Sequence, residues 1–74
     1  MKLFDVVEVL EDLPQIDVPR GSTGTIVEVY GSPIPGFEVE FEDEAWPEPR
    51  LCGVRPEQLR VVWSSSEQTP AQSE

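Results

Sequence analysis

Histidine is absent from this chain of 74 residues, and cysteine occurs once, at Cys52. A lone cysteine makes no internal disulfide. Without histidine there is no Ser–His or Cys–His nucleophile pair, and no His/Cys set to hold a structural zinc. Basic residues are scarce too, with five Lys and Arg against fifteen Asp and Glu. Gripping a phosphate backbone takes Lys and Arg contacts, so nucleic acid is not an expected partner. The same shortage argues against anionic membrane surfaces. No apolar run approaches the roughly 20 residues of a membrane span. The opening Met1-Lys2-Leu3-Phe4-Asp5 meets an acid before any apolar run develops, so no signal peptide is read there. With a free cysteine, that points to a reducing, cytoplasmic setting.

What remains is small and acidic. The formal net charge is -10, which favours solubility and permits electrostatic steering toward a basic partner, the alternative being an acidic protein with no basic ligand. A domain this short buries only about 60% of its unfolded surface, so a closed β-barrel or a partner is the expected source of added stability. No cofactor and no metal site is expected.

The most structured stretch is Gly21–Phe41. Gly21 and Gly24 are candidates for a turn or a positive φ. Thr25, Ile26, Val27, Val29 and Tyr30 are all β-branched or aromatic, suiting a pleated surface. Gly31–Gly36, with two prolines and two glycines, stops any helix or central strand. Phe37-Glu38-Val39-Glu40-Phe41 then alternates strictly. Period two turns Phe37, Val39 and Phe41 inward and Glu38 and Glu40 outward. Together these segments predict a β-hairpin.

Before the hairpin, Phe4–Leu10 reads as a first strand, a helix being the alternative against which its β-branched density and Pro14 count. Its alternation is imperfect, which means burial on both faces or a bulge. Glu11–Arg20 is a loop broken by two prolines, with Leu13, Ile16 and Val18 free to fold over a barrel end. After the hairpin, Glu42–Pro49 is a loop of four carboxylates around Trp46. Arg50–Val54 is a fourth strand, Arg55–Leu59 suits a single helical or 3-10 turn with proline at its first position, and Arg60–Trp63 is the closing strand. Residues 64–74 are rich in Ser, Gln and Glu and are predicted to be a disordered tail. The expected organisation is thus one barrel over 1–63 and a tail over 64–74.

Candidate functional residues follow from this layout. Glu28, Glu38 and Glu40 are expected on one solvent face, where like charges opposite one another destabilise a sheet. Relief comes either from Arg50, Arg55 or Arg60, or from a basic partner. Glu42, Asp43, Glu44 and Glu48 lack the ligand spacing of a calcium loop and read as a solvated charge run. Trp46 is either a hot spot ringed by charge or a cap on the barrel end. Cys52 lacks a base and reads as an inert packing residue. Trp63 packs outside the barrel or in a dimer contact.

Gly21-x-x-Gly24-x-Ile26-x-x-Val29, Phe37-x-Val39-x-Phe41 and Pro56-Glu57-Gln58-Leu59 outline an SH3-like five-stranded barrel. The first segment resembles the glycine-led turn and strand of KOW modules. It is also similar to the small barrels of the nitrile hydratase β subunit and of photosystem and thioredoxin-reductase accessory subunits. Asp5 through Leu59 resembles an uncharacterised family of short prokaryotic proteins reading Asp-x-Val, Leu-Pro, Gly-x-x-Gly-Thr-Val-Val-x-Val-Tyr, x-Val-Glu-Phe and Gln-Leu-Arg. The chain lacks the basic loops of nucleic-acid-binding relatives. It also lacks the aromatic first loop with which signalling SH3 domains grip proline motifs.

The resemblance implies an antitoxin-like or immunity-like role, or that of a small accessory subunit of an enzyme complex. The combined expectation is a non-enzymatic module that docks a basic protein through Glu28, Glu38, Glu40, Glu42, Asp43, Glu44 and Trp46. A structural homo-oligomer is the alternative that uses exposed strand edges or Trp63.

Overall fold

The computed structural model describes residues 1–65. Among them, β1 (Val6–Val9), β2 (Thr23–Tyr30), β3 (Gly36–Phe41), β4 (Arg50–Val54) and β5 (Leu59–Trp63) form one antiparallel sheet. The strand order is β4-β3-β2-β1-β5. Chain neighbours therefore pair along β1 to β4, and β5 returns beside β1. The remaining regular structure is two 3-10 turns, Pro14–Ile16 and Pro56–Gln58. Both open on proline, whose fixed φ and missing N–H suit a first helical position. The all-β expectation holds, as does the proline-led turn before the last strand. The turn at Pro14–Ile16 lies inside the segment read as loop.

In β3 the alternation does what the sequence predicts. Phe37, Val39 and Phe41 are buried, and Glu38 and Glu40 sit on the other face. β2 is less simple. Strict alternation from Ile26 would turn Glu28 into the core. The pairing instead steps from Ile26↔Val39 to Glu28↔Glu38, leaving Val27 as an extra residue. Such a bulge reverses the parity of everything beyond it. Glu28 thereby joins Glu38 outside.

β1 also bulges, between Val6 and Val7 on its β5 side. Of the two readings open for this strand, the bulge is the one realised. The strand is shorter than Phe4–Leu10. Phe4 leaves the extended region with φ 70°, and Leu10 is exposed.

The core consists of Val7, Val9, Leu13, Val18, Ile26, Phe37, Val39, Phe41, Val54 and Leu59. Leu13 and Val18 come from the long loop, bridged to each other by Leu13 N–H donating to the Val18 carbonyl at 2.7 Å. That loop is therefore packed onto the core, with Ile16 half-buried against it. Two glycines are structurally required. Gly21 turns the chain at φ 92°. A Cβ on Gly24 would lie 2.7 Å from Val39 Cγ1 and 2.8 Å from both the Glu40 carbonyl oxygen and the Phe41 ring.

At the far end, Trp63 and Val62 of β5 stay exposed. The tail expected over 64–74 begins differently from its reading, because Ser65 is bonded into the fold. Its N–H and hydroxyl both donate to Asp5 Oδ1, at 2.8 and 3.0 Å. The rest of that expected tail, 66–74, lies outside the described residues.

Candidate functional site

The outer face of the β2–β3 hairpin carries carboxylates in close register. Glu28 stands directly opposite Glu38, while Glu40 stands between Thr25 of β2 and Leu51 of β4. Glu38 also accepts a hydrogen bond from the Tyr30 hydroxyl at 3.3 Å. The Tyr30 phenol is pushed above its ordinary value. Desolvation contributes most, followed by the negative charge of Glu38, the hydrogen bond to it, and the charge of Glu28. The expected grouping of Glu28, Glu38 and Glu40 on one face is thus present.

The three arginines available to neutralise this hairpin face make other contacts, Arg50 beside the acidic loop, where it shares a depression with Glu42, Asp43 and Trp46. Arg60 pairs with Glu8, and Arg55 with Glu57 at 3.2 Å. Arg50 donates to the Asp17 carbonyl at 3.0 Å and to that of Ile16 at 3.4 Å. Its guanidinium also lies 3.9 Å from the centre of the Trp46 ring, a cation–π contact. Among the described residues, no Lys or Arg pairs with Glu28, Glu38, Glu40, Glu42, Asp43, Glu44 or Glu48.

The acidic loop after β3 is ordered by one of its own acids. The Asp43 carboxylate accepts the Ala45 N–H at 2.8 Å, and its carbonyl accepts the Trp46 N–H at 2.9 Å. This local turn swings Trp46 back toward the sheet. There it is half-buried against the core with Arg50 on its ring, as the capping alternative requires. Its remaining surface lines an open groove with Glu42, Asp43, Glu44 and Glu48. Glu42 also lines a second depression on the sheet face, with Phe4, Val6, Thr25, Val27 and Glu40. Glu42 is therefore where the two halves of the predicted site meet.

Sequence reasoning missed two residues here. Phe4, counted as strand content, instead protrudes as an exposed ring. Asp5, counted only as a polar member of the first strand, is 2% exposed. Both its oxygens are satisfied, Oδ2 by the Lys2 N–H at 3.0 Å and Oδ1 by Ser65. Burial works to raise its pKa. The backbone bonds from Ser65 and Lys2, the Ser65 hydroxyl and the positive N-terminus outweigh burial and leave it lowered. Ser65 lies 60 residues from Asp5 in sequence, so no local pattern announces the pairing. Cys52 packs half-buried against the core, taking a hydrogen bond from the Gln15 amide at 3.4 Å.

A family model described as a domain of unknown function matches residues 3–61, which takes in β1 through most of β5 and every residue of the acidic face. The chain belongs to the DUF4926 family. No curated protein and no solved structure matches it. The part of this DUF4926 chain beyond the match includes Ser65, the residue that secures Asp5. Among the described residues, no helix is long and apolar enough to cross a membrane.

Proposed function

We propose that this DUF4926 domain is a non-catalytic protein-binding module with an SH3-like fold, whose acidic hairpin face and following loop dock a basic protein. The observation that carries this reading is the unbalanced charge of that surface. Glu28 and Glu38 oppose each other, Glu40 and Glu42 continue the row, and Arg50, Arg55 and Arg60 are committed to other contacts. Like charges across a strand pair destabilise a sheet by up to about 1 kcal/mol. A surface that retains them gains from a cationic partner what it lacks within its own chain. The strand order, with β5 returning beside β1, supports the SH3-like assignment. Within this class we favour an antitoxin-like, immunity-like or accessory protein acting in the cytoplasm.

The test is capture from an extract of the source cells on immobilised wild-type chain and on a Glu28→Lys, Glu38→Lys, Glu40→Lys variant. The reading expects a basic protein on the wild type alone, released by salt. Equal recovery on both surfaces refutes it. A second reading, a homo-oligomer, draws on the exposed Val62 and Trp63 of edge strand β5. Light scattering of the purified chain tests it: a monomer at high concentration removes it.

A further inference from the structure

We propose that Phe4 is the anchor of the docking site, and that the partner seats an apolar side chain, flanked by Lys or Arg, on Phe4, Val6 and Val27 between Glu40 and Glu42. This rests on the reading of a basic protein partner and names the contact that would give it specificity. Phe4 is the most exposed aromatic among the described residues, at 62%. It is also held at φ 70°, a left-handed backbone that is an outlier for a bulky residue. The conformation is enforced from both sides. The Phe4 N–H donates to the Ile26 carbonyl at 2.8 Å, and the Asp5 N–H to that of Lys2 at 3.1 Å. The buried Asp5 carboxylate, bonded to Lys2 and Ser65, locks the turn. A ring kept out of the core at the cost of backbone strain suits recognition rather than packing.

The surroundings complete a binding surface. Val6 and Val27 share an open depression with Phe4, and Val27 is the extra residue of the β2 bulge. Glu40 and Glu42 line the same depression without a basic partner among the described residues. Thr25 stands between Val6 and Glu40, so the floor is mixed, with the exposed Phe4 ring and two valines as its apolar part; an apolar anchor inside a charged rim is the anatomy of an interface hot spot. The sign of the rim selects the occupant. A nucleic acid or an acidic segment is repelled, whereas a basic segment is drawn in and its apolar residue desolvated against the ring.

The probe is a synthetic peptide with one Leu between two Lys-Arg pairs, titrated into the nitrogen-labelled full chain and followed by amide shifts. Controls carry Ser in place of Leu, or Glu in place of the basic residues. The amides of Phe4, Val6, Val27, Glu40 and Glu42 are expected to move together. Phe4→Ala and the Leu→Ser peptide are each expected to weaken binding at least about tenfold, as loss of an anchor does. Phe4→Gly, which suits the left-handed backbone, is expected to lose binding with a thermal midpoint no lower than wild type. Equal affinity of Phe4→Ala and wild type overturns the anchor. So does a fall in midpoint for Phe4→Gly, which would make the ring a packing element. If binding survives Phe4→Ala but is lost on Glu40→Lys with Glu42→Lys, the anchor fails and the acidic-surface reading stands. Equal binding of the Glu-flanked peptide, or no shift with any peptide, overturns both.

Discussion

Replacing Glu28 by Lys is expected to make this protein more stable. Glu28 and Glu38 are directly opposed across the β2–β3 ladder, with no arginine or lysine among the described residues paired to either. Opposed Cβ atoms in an antiparallel pair lie about 4.5–5.5 Å apart. Two unit charges about 6 Å apart interact by roughly 0.7 kcal/mol in water-like surroundings, before salt screening. Screening at physiological salt, where the Debye length is about 8 Å, removes part of this. The substitution exchanges a repulsion for an attraction, so the two effects add to about 0.5–1 kcal/mol. In a domain of this size that raises the melting temperature by about 2–8 °C. Urea unfolding followed by circular dichroism reads the change, repeated at low and high salt. The gain is expected to shrink as salt rises, while the wild type becomes more stable with salt. A Glu28→Lys chain no more stable than wild type at low salt would refute the reasoning, because the opposed carboxylates would then not repel.

Three further outcomes follow from other contacts. Gly24→Ala forces a Cβ to within 2.7–2.8 Å of Val39, Phe41 and the Glu40 carbonyl oxygen; since backbone cannot rotate aside, a loss of about 3 kcal/mol is expected in urea unfolding, at the upper end for overpacking. Asp5 has a lowered pKa, so its stabilising contribution is complete above its ordinary value of 3.8 and is lost as pH falls through the folded value. Acid unfolding by circular dichroism should therefore begin below that range, and Asp5→Ala should cost about 2–3 kcal/mol at neutral pH by freeing the charged hydrogen bonds. Tyr30 is the chain's single tyrosine and its pKa is raised, so its contribution is present below the ordinary value of 10.0 and lost as pH rises through the folded value. The tyrosinate absorbance should titrate above that value and move down toward it in Glu38→Gln.

What the residues announced and what they withheld divide along a physical line. Phe37, Val39 and Phe41 alternate with glutamates, and local periodicity alone turns them inward. The prolines at 14 and 56 fix their own φ, and both begin 3-10 turns. Glu28 reached the outer face only through the bulge at Val27, and a bulge depends on the partner strand's register, which no single segment carries. Phe4 and Asp5 looked like ordinary members of a strand. Their actual roles depend on Ile26 and Ser65, far along the chain. The acidic loop was visible as composition, but its order comes from Asp43 and from the stacking of Arg50 on Trp46. The spare carboxylates could be counted from the sequence. That the arginines are already engaged could be learned only from the fold.

The central claim is that this unneutralised surface binds a basic protein. Its most direct measurement is the affinity of the captured partner for wild type and for Glu38→Lys with Glu40→Lys, from about 50 to about 500 mM salt, over which the Debye length shrinks several-fold. The account predicts wild-type binding that weakens steeply with salt and is abolished in the variant. Affinity that stays flat across the series, or persists in the variant, would contradict it.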